Sequence, residues 1–313
     1  MTKTNKRLLV TGCGGFLAGH IFKALLVEDR WQLFGIGDTP CSIPGVSWQL
    51  VDLRRPTQVR QAIAAIRPDL TIHLAAVSNV GFSWKKPRLT YEINFMGSVH
   101  LLEALARHSP GSRAVLASSA EVYRDLGPVP LAENCALECD NPYALSKAAM
   151  EKAGELFSRN HQLEVIRVRP FNFTGPGQSR SFVTADFVAQ VAACEARRRE
   201  AVIKVGNLAA VRDFSDVRDI VCKLLTVTRE AQPGEVFNLC SGRAYSIREI
   251  LDRLLALAGV SIEVQIEASR FRPLDRPVII GDGGLFNRRF GTRQLISLEE
   301  TLSDMLREQR AAG

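Results

Sequence analysis

Hydrophobic and polar positions in the first half of the chain follow each other in the order of strands and helices. Residues 7–12 form a short aliphatic run that stops at glycine, and apolar side chains then recur at helical spacing over residues 16–26. The same patterns predict further strands and helices, the strands at residues 31–37, 46–52, 69–76, 113–119 and 163–169, and the helices at 59–66, 91–107 and 143–159. This alternation predicts an α/β fold with a Rossmann-like, doubly wound parallel sheet and right-handed crossovers.

The second half has shorter elements of mixed type. Residues 170–177 are rich in proline and glycine and mark the transition. Beyond them the patterns predict helices at 182–197, 217–228, 247–258 and 298–310 and strands at 202–205 and 236–239. We therefore expect a sheet domain of residues 1–170, completed by a returning segment at about 211–240, and a smaller mixed α/β lobe of residues 171–210 and 241–313.

The composition restricts the class of protein. A chain of 313 residues that is 46% hydrophobic can bury a substantial core, and no apolar run reaches the roughly 18 residues of a membrane-spanning helix. The net charge of +7 is spread along the chain, so we expect no nucleic-acid surface and no membrane contact, while the charge suits an anionic nucleotide substrate. Seven cysteines without regular spacing predict reduced thiols and no metal site, and we expect a cytoplasmic protein.

A glycine-containing turn separates the first strand from the first helix. Gly12 permits a tight turn, Gly15 lets a pyrophosphate approach the backbone, and the small Ala18 allows close helix packing. Phe16 and Leu17 open the helix, and we expect them to contact the same ligand. The turn predicts that the first domain binds a dinucleotide.

The residues that follow the other strands are further candidates for cofactor binding. Asp38 ends the second strand, where a carboxylate accepts hydrogen bonds from a ribose diol and repels a 2′-phosphate, so it favours NAD over NADP. An aspartate in a turn before Thr39-Pro40 explains it equally well on local grounds. Because ligands of open α/β sheets bind at the carboxyl ends of strands, the remaining candidates are Asp52, Leu53, Leu74, Ala75, Ala76, Ser118 and Pro170.

Two polar residues near these strand ends have competing explanations. His73 lies in an almost unbroken apolar run, and we expect it to be a core histidine whose nitrogens are hydrogen-bonded. The amide of Asn94, in the long helix, is suited to hold a strand end or the active-site tyrosine, although a simple polar position on the helix is an equal alternative.

The segment Asn141-Pro142-Tyr143-x-x-x-Lys147 begins a helix that carries candidate acid-base chemistry. Pro142 suits the first turn, and Tyr143 and Lys147 then lie on one helix face, one turn apart. We expect the ammonium to lower the pKa of the phenol. A shift of about three units requires about 4 kcal/mol of local field, which one lysine beside a cationic nicotinamide would supply. Taken alone, the spacing is also compatible with a chance arrangement on a surface helix.

Motifs in a consistent order identify a resemblance to a known family. The sequence resembles the extended short-chain dehydrogenase/reductases, which comprise nucleotide-sugar epimerases, dehydratases, decarboxylases and reductases. The resemblance covers essentially the whole chain and rests on Gly12-x-x-Gly15-x-x-Ala18, Asp38, Asp52-Leu53, His73-Leu-Ala-Ala76, Ser118-Ser-Ala-Glu-Val-Tyr123, Asn141-Pro-Tyr143-x-x-x-Lys147 and Arg169-Pro-Phe-Asn172. Segments of the second half, such as Arg212-Asp213-Phe214 and Phe237-Asn-Leu-Cys-Ser-Gly242, are most similar to the GDP-sugar branch.

The resemblance implies a role for each matching residue. Ser119 would hydrogen-bond the sugar C4 oxygen, Tyr143 would exchange a proton with it, and Lys147 would hold the nicotinamide ribose of NAD or NADP. In the second lobe, the resemblance implies a nucleotide-sugar site. Its residues would be Asn172, Arg212 and Arg272 at the phosphates and Asp275 at the GDP ribose; pairing with the adjacent Asp213 is the alternative for Arg212.

The implied reaction is reduction of the C4 ketone of a nucleotide-activated 4-keto-6-deoxy sugar, with GDP-4-dehydro-6-deoxy-D-mannose favoured. Glu121 is a tentative catalytic residue, because a 4,6-dehydratase needs a second base to remove the C5 proton. Ser119 and Ala120 depart from the residues usual in dehydratases and favour a reductase, and Arg124 replaces a usual glycine. A 4-epimerase and, remotely, a non-catalytic cofactor-sensing protein remain alternatives. The family further implies a homodimer in which helices 91–107 and 143–159 form a four-helix bundle.

Overall fold

The fold is that of a computed structural model, which describes residues 6–28, 30–197, 201–271 and 276–312. Two compact units are present. The first comprises Met1–Arg124, Asn134–Pro170 and Val221–Phe237, and the second comprises Asp125–Glu133, Phe171–Ile220 and Asn238–Gly313. Residues 125–133, 211–220 and 238–240 thus lie in the second unit, whereas the sequence prediction placed them in the sheet domain.

The chain up to Pro170 alternates between strands and helices. Its elements are β1 (Lys6–Thr11), α1 (Phe16–Leu26), β2 (Trp31–Gly37), β3 (Ser47–Leu50), α2 (Pro56–Ile66), β4 (Leu70–His73), α3 (Val80–Lys85), α4 (Pro87–Tyr91), α5 (Gly97–His108), β5 (Arg113–Ala117), α6 (Pro142–Asn160) and β6 (Glu164–Pro170). The helix predicted over residues 91–107 is not continuous, because a π-helical segment, Glu92–Met96, joins α4 to α5. A one-turn 3-10 helix, Ala120–Val122, follows β5.

The chain beyond Pro170 has shorter elements. They are β7 (Asn172–Thr174), α7 (Val183–Arg197), β8 (Val202–Val205), β9 (Val211–Asp216), α8 (Val217–Glu230), β10 (Val236–Leu239), β11 (Ala244–Ser246), α9 (Ile247–Ala256), β12 (Glu263–Ile266), β13 (Val278–Ile279), α10 (Gly284–Phe290) and α11 (Leu298–Ala312), with a 3-10 helix at Ala268–Arg270. None of the helices within the described ranges is both long enough and apolar enough to cross a membrane.

A seven-stranded sheet organises the first unit, with the strand order β10-β6-β5-β4-β1-β2-β3. The pairs from β3 through to β6 are all parallel. The order reverses at β1, since β2 and β3 lie on one side of it and β4, β5 and β6 on the other. This arrangement confirms the predicted doubly wound α/β fold and brings the carboxyl ends of the strands to one edge.

The core of the first unit explains why these strands form. Leu9, Ile36, Val115 and Ile166 are buried completely on neighbouring strands, as expected for parallel strands that are covered on both faces. One core cluster joins strand side chains to the apolar faces of α2, α5 and α6. At the edge of the sheet, the residues of β3 are exposed.

In the second unit, several strands do not follow from the sequence pattern. β9 pairs with β7, β11 and β13 in a mixed sheet, and β8 pairs with β12. Within β9, the side chains of Arg212, Asp213, Ser215 and Asp216 are buried although they are polar. A pattern search that expects apolar residues at buried positions therefore misses this strand.

Candidate active site

The predicted cofactor-binding residues of the first unit gather at the carboxyl edge of its sheet. Gly12 follows β1 with a φ of 70°, a left-handed conformation that favours glycine. A Cβ added to Gly12 would lie 2.9 Å from the Cα of Ala75, which follows β4. A side chain at position 12 would therefore clash with the backbone that follows β4.

The N-terminus of α1 fits the phosphates of a dinucleotide. Gly15 is the N-cap residue, no side chain caps the helix, and no acidic residue lies in its first turn, which begins with Phe16 and Leu17. The positive end of the helix dipole and its first amides therefore face no competing anion of their own helix. These features suit NAD or NADP, and a bound nicotinamide would supply hydride transfer.

Two carboxylates lie after β2 and β3. Asp38 directly follows β2, is exposed, and accepts a hydrogen bond from Thr39 Oγ1 at 3.2 Å. The Asp52 carboxylate accepts hydrogen bonds from the Arg54 side chain at 2.7–3.1 Å, and these lower the pKa of Asp52. Leu53 is buried against the core. Asp38 is therefore the more accessible of the two carboxylates for a ribose.

Hydrogen bonds through His73 connect the glycine turn to the helices. The Thr11 hydroxyl oxygen accepts the amides of Leu74 at 3.2 Å and Ala75 at 3.1 Å, so its own proton points to His73 Nδ1, 2.7 Å away. The Nε2–H of His73 then donates to Ser98 Oγ at 2.7 Å. Burial lowers the pKa of His73 to about 3, so the imidazole is neutral. The prediction of a hydrogen-bonded core histidine is confirmed.

Asn94 lies in the π-helical segment and is completely buried. Its Oδ1 accepts the amide of Val77 at 2.7 Å, and its Nδ2 donates to the carbonyl of Val77 at 3.0 Å and to Ser146 Oγ at 2.9 Å. Ser146 donates in turn to the carbonyl of Tyr143 at 2.7 Å. Asn94 therefore holds the chain after β4 and, through Ser146, the first turn of α6.

Tyr143 and Ser119 come together at the start of α6 and the end of β5. Asn141 caps α6 by accepting the amide of Ala144 at 2.8 Å, and Pro142 is its first residue. Burial raises the pKa of Tyr143 to about 12, a hydrogen bond with Ser119 lowers it, and the charge of Glu121 raises it. The phenol therefore stays protonated at neutral pH, beside a serine hydroxyl and near a carboxylate.

Lys147 is buried one turn after Tyr143, and its Nζ donates to the carbonyl of Ala117 at 2.7 Å. Burial lowers the pKa of Lys147 to about 8, while the charge of Glu151 raises it. The lowering of the Tyr143 pKa by Lys147 beside a cationic nicotinamide stays a prediction, and the protein groups alone raise that pKa. The ammonium is directed at the end of β5, so desolvation of the phenol exceeds any stabilisation of the phenolate.

The structure adds charged residues that the sequence analysis did not assign. Glu151, one turn after Lys147, pairs with Arg169 at the end of β6, and both side chains are buried. The Arg169 guanidinium lies 4.8 Å from the ring centroid of Tyr123. A sequence signal existed for Glu151, because it continues the four-residue spacing of Tyr143 and Lys147.

The other predicted residues lie in different environments. Ser118 Oγ is buried with no hydrogen-bond partner among the described residues, and Ala76 and Pro170 are half-buried at strand ends. In the second unit, Asn172 on β7 is exposed, and Arg212 on β9 donates from Nη1 to the carbonyls of Val211 at 2.9 Å and Pro277 at 3.4 Å. Arg272 and Asp275 lie outside the described residues.

Comparison with known proteins identifies the family. The model of a family described as GDP-mannose 4,6 dehydratase matches residues 9–305. The chain belongs to this family. It is 30% identical to GDP-6-deoxy-D-mannose reductase of Pseudomonas aeruginosa over 303 residues, which cover 96% of each protein.

Solved structures of similar proteins have the same fold as this chain. The structure of RMD from Pseudomonas aeruginosa complexed with NADPH is 28% identical, with a TM-score of 0.87 over 99% of this chain and 100% of that chain. UDP-glucose 4-epimerase of Thermus thermophilus, in complex with NAD, is 26% identical, with a TM-score of 0.86 over 98% of this chain and 100% of that chain.

These findings confirm the sequence-based assignment to the extended short-chain dehydrogenase/reductases. They also confirm that the chain is an NAD(P)-dependent enzyme of nucleotide sugars.

Proposed function

We propose that this protein uses NADH or NADPH to reduce the C4 ketone of a nucleotide-activated 4-keto-6-deoxy sugar, with GDP-4-dehydro-6-deoxy-D-mannose as its substrate. The observation that carries the proposal is the protonated phenol of Tyr143 beside the hydroxyl of Ser119. The similarity to GDP-6-deoxy-D-mannose reductase supports the choice of sugar.

The arrangement suits a reduction because a ketone that receives a hydride needs a proton donor. The phenol of Tyr143 is protonated at neutral pH and has a proton to donate, since burial and the charge of Glu121 both raise its pKa. Ser119 would orient the C4 oxygen by a hydrogen bond, and Tyr143 would donate the proton to that oxygen. Lys147, directed at the end of β5, would bind the nicotinamide ribose.

We assign the remaining contacts by the same resemblance. Cofactor phosphates would lie on the turn from Gly12 to Leu17, and Asp38 would bind the adenosine ribose, which favours NAD. Sugar-nucleotide contacts in the second unit would come from Asn172, Arg212, Arg272 and Asp275.

One observation favours a second function, a 4,6-dehydratase. Glu121 is half-buried, and its charge acts on Tyr143, so a second acid-base group lies near the phenol. A dehydratase needs such a base for the C5 proton, although the neighbouring Ser119-Ala120 favours the reductase.

The test is to supply each sugar nucleotide with and without reduced cofactor and to identify the products by mass spectrometry. The reductase consumes one NAD(P)H for each GDP-4-dehydro-6-deoxy-D-mannose and leaves GDP-mannose unchanged. Formation of a 4-keto-6-deoxy product from GDP-mannose without reduced cofactor, abolished in Glu121→Gln, would establish the dehydratase. Interconversion of C4 epimers without cofactor consumption would establish an epimerase.

A further inference from the structure

A buried ion pair joins α6 to β6 behind the proposed active site. Arg169 Nε lies 2.9 Å from Glu151 Oε1, and Arg169 Nη2 lies 2.7 Å from Glu151 Oε2. The Glu151 side chain is 3% exposed and that of Arg169 is 5% exposed. Such a pair has a large desolvation cost and often adds no net stability. A role other than stability would explain its place in the core.

The position of Glu151 on α6 suggests that role. Tyr143, Lys147 and Glu151 follow each other at intervals of four residues, so they lie along one face of the helix. Lys147 is fully desolvated, and desolvation disfavours its ammonium. The negative charge of Glu151 raises the pKa of Lys147 and so favours the ammonium.

We propose that Glu151 is a positioning residue for Lys147: its carboxylate, fixed by Arg169, keeps the buried amine charged and directed at the end of β5. The part that concerns the cofactor rests on the proposed function, because it takes Lys147 as the group that binds the nicotinamide ribose. Arg169 also contacts the ring of Tyr123, which follows the 3-10 helix containing Glu121. The pair therefore also connects α6 to the segment that begins at Ser119.

Other charged groups near Lys147 do not replace Glu151. His73 on β4 interacts electrostatically with Lys147, but its imidazole is neutral above a pKa of about 3. Glu121, from the 3-10 helix after β5, acts on Tyr143. Arg169, from β6, is itself a cation and donates from Nε and Nη2 to the two carboxylate oxygens of Glu151.

The experiment measures the pKa of Lys147 directly in the full-length protein, by NMR titration of lysine labelled with 13C at the ε carbon. Lys147→Met identifies the resonance by its disappearance. In the parent protein we expect a pKa near 8. In Glu151→Gln we expect it to fall by about one unit or more, and NADH and NADPH to bind about tenfold more weakly at pH 8.

A matched control is available one turn further along α6. Glu155 pairs with Arg167, so this second ion pair also joins α6 to β6, but Glu155 is two turns from Lys147. Glu155→Gln should leave the pKa of Lys147 and the dissociation constants of both cofactors unchanged. An equal change in this variant would overturn the proposal.

A double variant separates the electrostatic role from packing, because Glu151→Gln leaves an unpaired guanidinium in the core, which opposes folding. Replacing the pair by Glu151→Leu with Arg169→Met restores an apolar core of similar volume. We expect this variant to fold and still to have a lowered Lys147 pKa. A Lys147 pKa that stays near 8 in this variant would overturn the proposal and show that the ion pair has only a structural role. The titration needs no sugar, so failure of the proposed reaction leaves this result intact.

Discussion

Lys147 Nζ donates a hydrogen bond of 2.7 Å to the carbonyl oxygen of Ala117, the last residue of β5. This contact fixes the amine at the strand end instead of at the phenol one turn earlier. With a pKa near 8, the amine loses its charge at a pH at which Tyr143, with a pKa near 12, remains protonated. Lys147 should therefore determine how activity depends on pH near pH 8, where Tyr143 does not yet ionise.

We expect kcat/KM for the reduced cofactor to be constant from about pH 6 to pH 8 and to fall about tenfold per unit above pH 8. The fall reflects loss of the Lys147 ammonium from the free enzyme. Lys147→Arg, which keeps its charge at all these pH values, should be slower but should not show this fall. An unchanged alkaline limb in Lys147→Arg would assign the fall to another group.

Ser119 and Tyr143 should differ in what they contribute to the reaction. Tyr143→Phe removes the proton donor, so we expect kcat to fall about 10²- to 10⁴-fold with little change in cofactor affinity. Ser119→Ala removes one hydrogen bond to the C4 oxygen, and we expect a smaller loss, of about tenfold to a hundredfold. Stopped-flow measurement of NAD(P)H oxidation in a single turnover tests both, and a Tyr143→Phe variant with normal kcat would contradict the mechanism.

The cofactor preference should depend on Asp38. We expect the parent protein to have a higher kcat/KM with NADH than with NADPH, and Asp38→Asn to reduce this ratio by about tenfold or more, because it removes a charge that repels the 2′-phosphate. Asp52→Asn is the control, since the Asp52 carboxylate is bound by Arg54. A parent protein that prefers NADPH would refute this role of Asp38.

The first unit could be predicted from the sequence because its strands and turns depend on local sequence patterns. Buried parallel strands read as apolar runs, and Gly12 marks a backbone conformation that other residues rarely adopt. The second unit was harder to predict because β9 buries polar residues. Asp213, for example, accepts hydrogen bonds from the amides of Ser241 and Gly242 and from Ser241 Oγ. These partners are distant in sequence.

The site was predictable as a set of residues but not in its electrostatics. The spacing of Tyr143 and Lys147 places them on one helix face, yet it carries no information about how deeply each is buried. Desolvation depends on the whole fold, and among the protein groups alone it raises the pKa of Tyr143. The role of Glu151 depends likewise on its pairing with Arg169, which comes from a different element.

The four-helix dimer that the family implies predicts that exposed apolar residues of this chain form the interface. Leu145 and Leu156 on α6 are each 48% exposed, and Met96 before α5 is 41% exposed. Leu156→Glu combined with Met96→Glu should convert a dimer to a monomer in analytical ultracentrifugation, because it places charges in an apolar interface. Val27→Glu, at a more exposed apolar residue, is the control. A parent protein that sediments as a monomer at micromolar concentration would contradict the dimer.

The neutral His73 should make stability depend on pH. The unfolded chain protonates this histidine below about pH 6.5, while the folded protein resists protonation until about pH 3, so lowering the pH favours unfolding. His73→Phe removes the acceptor of the Thr11 hydroxyl proton and the donor to Ser98 Oγ, and we expect it to cost about 2–4 kcal/mol at pH 7.

The pH dependence of the unfolding free energy provides a second, independent test of the role of His73. The difference in unfolding free energy between the parent and His73→Phe should shrink by about 2 kcal/mol from pH 7 to pH 5, because only the parent has a histidine at this position to protonate on unfolding. Urea denaturation at both pH values measures it. Thr71→Val, on the same strand, is the control: the Thr71 hydroxyl is buried with no partner among the described residues, so its loss should be nearly neutral at either pH. A constant difference between the two pH values would mean that His73 takes up its proton at the same pH in the folded and the unfolded protein, so burial would not lower its pKa. A difference that grows at pH 5 would mean that His73 is already charged in the folded protein, and the direction of the proton from Thr11 to Nδ1 would then be wrong.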